Sequence, residues 1–135
     1  MGPMPDRMSR LPDVALIERL AAQALDRLPA PFRERLVDVV IRIEEFADGE
    51  TLDALGIEDR WNLTGLYHGR PLCDQSIWTS AGLPPMITLY RAPLLREWRE
   101  TGVGLNDLVT HVVVHEVGHH FGLSDADMHR LEDEP

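Results

Sequence analysis

Apolar positions along DVALIERLAAQALDRLP, residues 13–29, repeat at helical spacing. Leu16, Leu20, Ala24 and Leu28 recur every four residues, with Ile17 and Leu25 beside them, which predicts one apolar stripe on a helix. Asp13 can cap that helix, and Pro29 and Pro31 close it. PFRERL can form a short second helix with Pro31 in its first turn. The period then changes. In VDVVIRIEEF, Val39, Ile41 and Ile43 alternate with Val40, Arg42 and Glu44, the pattern of a strand with one buried face. A continuous helix from Pro31 to Phe46 competes with it, but clustered β-branched side chains favour the strand. ADGETLDALGI reads as a loop with room for one helical turn. LTGLYHGRP predicts a second strand running into a turn at Gly69–Pro71, SAGLPP another turn, and MITLYRAP a third strand. In that third strand Ile87, Leu89 and Arg91 oppose Met86, Thr88 and Tyr90. Pro93 can open a helix, PLLREWRETG, that Gly102 ends. The last long helix, LNDLVTHVVVHEVGHHFG, is expected to start at Asn106 or Asp107 and to stop at Gly122. Ser124 and Asp127 resemble a capping box opening a terminal helix, DADMHRLED. Residues 1–12 hold three prolines and no periodicity, which predicts a mobile leader before a single domain over 13–135.

Charge narrows the function classes. The formal net charge is −10, and all 13 basic residues are arginine. Such a chain repels phosphate backbones, so nucleic acid is not expected as a partner. Cys73 is the single cysteine and cannot form an intramolecular disulfide, which suits a reducing compartment. As a nucleophile it would need a nearby base, and the sequence suggests none. Apolar runs are a few residues long and the N-terminus lacks an apolar signal region, so a cytoplasmic protein with no membrane partner is expected. The oligomeric state is not written in these patterns.

The chemistry concentrates in HEVGHHFGLSD, from His115 to Asp125. His115 and His119 are about 400° apart on a helix, so both imidazoles leave one face, one turn apart. One tetrahedral zinc ion can then touch both at ~2.0–2.1 Å. Glu116 lies about 100° round the helix, placed to meet a water on the ion rather than the ion itself, as the general base of an H-E-x-x-H arrangement. Catalytic zinc wants a third protein ligand. Gly122 reverses the chain, so the Asp125 carboxylate can swing back to supply it. Requiring that Gly and that Asp at fixed offsets cuts chance matches roughly 300-fold, with Gly about 7% and Asp about 5% of residues. Plainer roles stand beside these: a solvated helix face for His115 and His119, a surface charge for Glu116, and an acid complementing a helix dipole for Asp125. His111 extends the stripe, but ligands at 111, 115 and 119 would span about 12 Å, too far for one ion, so it reads as support or core. His68, His120 and His129 read as structural or exposed.

The segments LTGLYHGRPL, ITLYRAPLLREW and VTHVVVHEVGHHFGLSDADM resemble the compact bacterial zincin-like metallopeptidases, with Asp as third ligand as in the Asp-zincins, and the resemblance covers most of the chain, from about Asp13 to Glu132. The resemblance implies an α+β fold, a small twisted mixed sheet packed against the active-site helix. It implies one zinc ion held by His115, His119 and Asp125, with Glu116 as catalytic acid/base. Ten residues follow Asp125, with Met128 the one Met among them, so the downstream Met-turn of metzincins has no counterpart and an abbreviated cleft is expected. A zinc peptidase acting on a peptide or protein is the resulting expectation, its substrate pairing with an edge strand for which MITLYRAP is the candidate. Tyr67, Tyr90 and Arg91 are equal candidates to assist the oxyanion. A non-catalytic zinc module that docks to protein partners is the alternative, and a zinc-dependent RNA endonuclease a more distant one that the acidic charge opposes.

Overall fold

The computed structural model describes residues 12–36, 38–68 and 85–122. Helix α1, Val14–Asp26, begins where the Asp13 carboxylate accepts the Leu16 N–H at 2.9 Å. Its buried line runs through Ile17, Ala21 and Ala24 and on to Leu28, whereas Leu16, Leu20 and Leu25 are half-buried. The stripe is therefore turned from the one the four-residue spacing suggests. Ala21 and Ala24 carry little volume, so the helix backbone can lie close to its neighbour along that line. A single turn, α2 (Ala30–Arg33), follows, with Pro31 at its start.

Strand β1, Val40–Glu44, buries Ile41 and Ile43 partly and exposes Val40, Arg42 and Glu44, the alternation expected of it. The segment read as a loop with room for one helical turn contains a longer, seven-residue helix, α3 (Gly49–Leu55). Asp48 caps it, accepting the Thr51 N–H at 2.7 Å, and those Thr51 bonds hold the Asp48 carboxyl below the usual carboxylate range. Leu52 is its one buried side chain, so no stripe announces it. After a 3₁₀ turn at Arg60–Asn62, strand β2 covers Gly65–His68 and strand β3 covers Met86–Tyr90. Helix α4, Arg91–Thr101, starts directly on β3, two residues before Pro93, so Arg91 belongs to the helix and not to the strand. Helix α5, Leu105–Phe121, starts just ahead of the residues expected to open it.

The sheet is mixed and small, in the order β1-β3-β2, with β1 parallel and β2 antiparallel to β3. MITLY is thus the central strand, which corrects its reading as an edge. The reason is legible in its composition: Ile87, Thr88, Leu89 and Tyr90 are all buried, and a strand covered on both faces carries no charge. One side of the sheet packs on α1 and α5 through Ile17, Ile87, Leu89, Val109, Val113 and Val117. The other packs a smaller cluster of Ala47, Leu52 and Tyr90. On the rim, Arg60 lies 3.9 Å over Phe46, Phe46 meets Trp61 edge-on at 4.8 Å, and Arg96 lies 5.3 Å from the Trp61 ring, fastening the 3₁₀ turn to α4. Pro12 is buried, and its carbonyl accepts the Arg91 Nε–H at 2.8 Å. The rest of the expected leader, the turns at Gly69–Pro71 and SAGLPP, Cys73 and the terminal helix lie outside the described residues. The described residues make the expected small α+β fold, a mixed sheet against a long helix, and no helix among them is long and apolar enough to cross a membrane.

Candidate metal centre

Helix α5 is enclosed on most sides. Leu108, Val109, Val112, Val113, Val114, Glu116 and Val117 are all buried. The outward sector carries the histidine stripe. His111 is exposed, which excludes the core role suggested for it. His115 is half-buried, and the His119 side chain keeps 47% of its surface. Their ring centroids are 4.9 Å apart at an interplanar angle of 64°, so the i, i+4 spacing does bring the two imidazoles together. The far end of the helix is braced by Phe32, whose ring meets Phe121 edge-on at 5.2 Å. Gly122 then stops the helix in the left-handed region, φ 68° and ψ 32°, a conformation other residues adopt only with strain. The chain leaves the helix there as expected. Asp125 lies outside the described residues.

Glu116 points inward and is 6% exposed. Burial pushes its carboxyl above the ordinary range, opposed by nearby His115 and by a hydrogen bond from the Tyr67 main-chain N–H. Oε1 accepts no hydrogen bond. His119 Nδ1 stands 3.2 Å from that oxygen, near enough for an ion pair if the ring is protonated but without hydrogen-bond direction. A buried carboxylate that leaves one oxygen unbonded is uncommon in a folded protein. Beside two paired imidazoles it has the form of a reactive group.

The donor set fits zinc in part. His115 and His119 supply two nitrogens of the kind the ion takes. Among the described residues no cluster of three His, Cys, Asp or Glu side chains is assembled to hold an ion.

Two of the three oxyanion candidates drop out. Tyr90 is 2% exposed in the cluster on the opposite face of the sheet, and its phenol is pushed up to about 12 by burial, with Glu44, Asp48 and Glu116 adding to it. Arg91 is committed to the Pro12 carbonyl and to both Glu45 oxygens, at 3.0 and 3.3 Å. Tyr67 stays on the α5 side of the sheet, half-buried against the main core, with burial raising its phenol.

Strand β2 is the element that the sequence reading undervalued. It lies on α5, and a Cβ built on Gly65 would sit 2.6 Å from Val112 Cγ1 and 3.6 Å from Glu116 Cγ. The Tyr90 N–H bonds the Thr64 carbonyl at 2.9 Å, which fixes the alternation of this antiparallel ladder. Thr64, Leu66 and His68 exchange bonds with β3, so the main-chain groups of Gly65 and Tyr67 face outward. The available signal was the glycine, since a Gly inside a strand often marks a close backbone approach.

The sequence model of the zincin-like metallopeptidase family matches residues 36–134. The chain belongs to that family. No curated protein matches it.

Proposed function

We propose that this protein is a zinc-dependent peptidase in which His115, His119 and Asp125 hold the ion and Glu116 is the general base. The observation that carries this reading is the environment of Glu116: buried, one oxygen unbonded, and His119 Nδ1 3.2 Å away. Zinc, when bound, supplies Lewis acidity and an acidified water. Glu116 takes a proton from the attacking water and returns it to the amine that leaves, so the peptide bond is exchanged for an acid and an amine. The raised affinity of its carboxyl for a proton suits both halves of that transfer. Outside β2 no further strand pairs among the described residues, which suits an extended peptide added there as a fourth strand. The substrate edge is therefore assigned to β2 in place of MITLYRAP.

Metal analysis of the purified full chain, followed by mass spectrometry of a digested peptide pool, tests this. Wild type is expected to retain zinc and to cleave. Glu116→Gln is expected to retain zinc and lose ~10²–10⁴-fold in rate. Full cleavage by a zinc-loaded Glu116→Gln protein overturns the assignment of the base. Tight zinc with no cleavage of any peptide turns the reading to a binding module.

A further inference from the structure

We propose that Phe32 is a positioning residue for His119: its ring holds the last turn of α5, the turn that presents this imidazole to the ion. This deepens the zinc reading and rests on it for its functional meaning. The two imidazoles are seated differently. His115 leaves a stretch of α5 in which Val112, Val113, Val114 and Val117 are all buried. His119 sits past them, in a turn that runs from Gly118 to the stop at Gly122. Glycine is the poorest helix former after proline, so one at each end leaves this turn weak by itself. The His119 ring is exposed and anchors nothing in the core. Phe121 is the apolar side chain of the turn and packs against the core. Its ring meets that of Phe32 edge-on, with centroids 5.2 Å apart and planes at 87°.

Phe32 is fixed from its own side. It projects from α2, between Leu28 and Leu36, which are both buried. The Phe32 N–H bonds the Pro29 carbonyl at 2.9 Å, and Arg33 Nη1 donates to the Asp26 carbonyl, at the end of α1, at 3.2 Å. The ring contact therefore ties the end of α1 to the end of α5. Without it the turn at His119 loosens, while the turn at His115 stays seated by its valines. Phe32 precedes the matched residues 36–134, so the family pattern assigns it no role.

Zinc affinity of the full chain, measured by chelator competition, and amide exchange of the metal-free protein, followed by NMR, test this together. In Phe32→Ala the amides of His119, Phe121 and Gly122 should exchange on the order of 3- to 10-fold faster, the factor to which an aromatic pair corresponds. The Val112 and Val113 amides should keep their rates. Zinc should bind ~10-fold more weakly, the lower end of what losing a group that orients a ligand costs. Phe32→Tyr, which keeps the ring, should restore both readings. Phe121→Ala should weaken zinc as Phe32→Ala does, and the double variant no further, because the two rings act as one unit. Unchanged exchange at 119–122 in Phe32→Ala overturns the proposal. So does faster exchange spread equally to Val112 and Val113, or a zinc affinity indifferent to the ring. If Phe32→Ala does not fold, Phe32→Leu, which keeps apolar bulk without the ring edge, decides on the same readings. A wild type that holds no zinc sinks the peptidase reading, and the exchange pattern still decides whether Phe32 holds the turn.

Discussion

The two outer strands of the sheet do the same topological job and face different things. β1 is the charged edge. Arg42 and Glu44 point to solvent and pair at 3.2 Å, while Ile41 and Ile43 turn inward. Exposed charges on an outer strand discourage stray pairing and do little else. β2 carries no such guard beyond His68 at its end. It has Gly65 pressed on α5, where a Cβ would sit 2.6 Å from Val112 Cγ1 and 3.6 Å from Cγ of the buried Glu116. The contrast separates an edge that closes a sheet from one that serves a site. Position in the topology does not distinguish them; the helix each lies against does, α1 for β1 and α5 for β2.

The largest effect should come from removing what both edges share. Leu89 is fully buried in the central strand. Leu89→Ala is expected to cost ~2–5 kcal/mol in urea unfolding, with faster amide exchange in β1 and β2 alike. A cost under about 1 kcal/mol would mean that the central strand does not anchor the two edges.

The alkaline limb should be intermediate. The folded-state pKa of Tyr90 is about 12 against an ordinary 10.0, so folding holds its proton more tightly than the unfolded chain does. This contribution is complete below pH 10 and is lost as pH rises from 10 through 12. Urea midpoints over that window should fall in wild type and fall less in Tyr90→Phe. Equal slopes for the two proteins would show that Tyr90 ionises without leaving its pocket.

The smallest effect should sit on the charged edge. Arg42→Ala should change stability by less than about 1 kcal/mol, since exposed ion pairs contribute little. It should leave peptide cleavage unchanged. If Arg42→Ala slows cleavage, the division between a closing edge and a serving edge is wrong.

Much of the scaffold could be read from local pattern. Alternation in VIRIE, the glycine stop at 122 and the i, i+4 histidines are short-range signals, and each appears where the pattern put it. The misses share a different cause. α3 hides because one leucine, Leu52, gives no period. The order of strands depends on contacts far apart in sequence, so MITLYRAP reads as an edge, while the uncharged MITLY suits the central place it takes. The close approach of Gly65 to Val112 joins residues 47 positions apart, which no side-chain motif encodes. Of the site residues, His115, His119 and Glu116 were legible as a motif and come together on α5. Asp125 lies outside the described residues, and its role stands on spacing alone.

The family match begins at residue 36, yet α1 ends at Asp26. Ile17, Ala21 and Ala24 of that helix cover the same core that Val109, Val113 and Val117 of α5 enter. A fragment trimmed to the matched region would strip the back of the helix that presents both imidazoles, trading a seated rod for one with a greasy flank turned to water. The least family-like part of this protein is thus the wall behind its chemistry, and any minimal version has to begin no later than Pro12, whose carbonyl Arg91 grips.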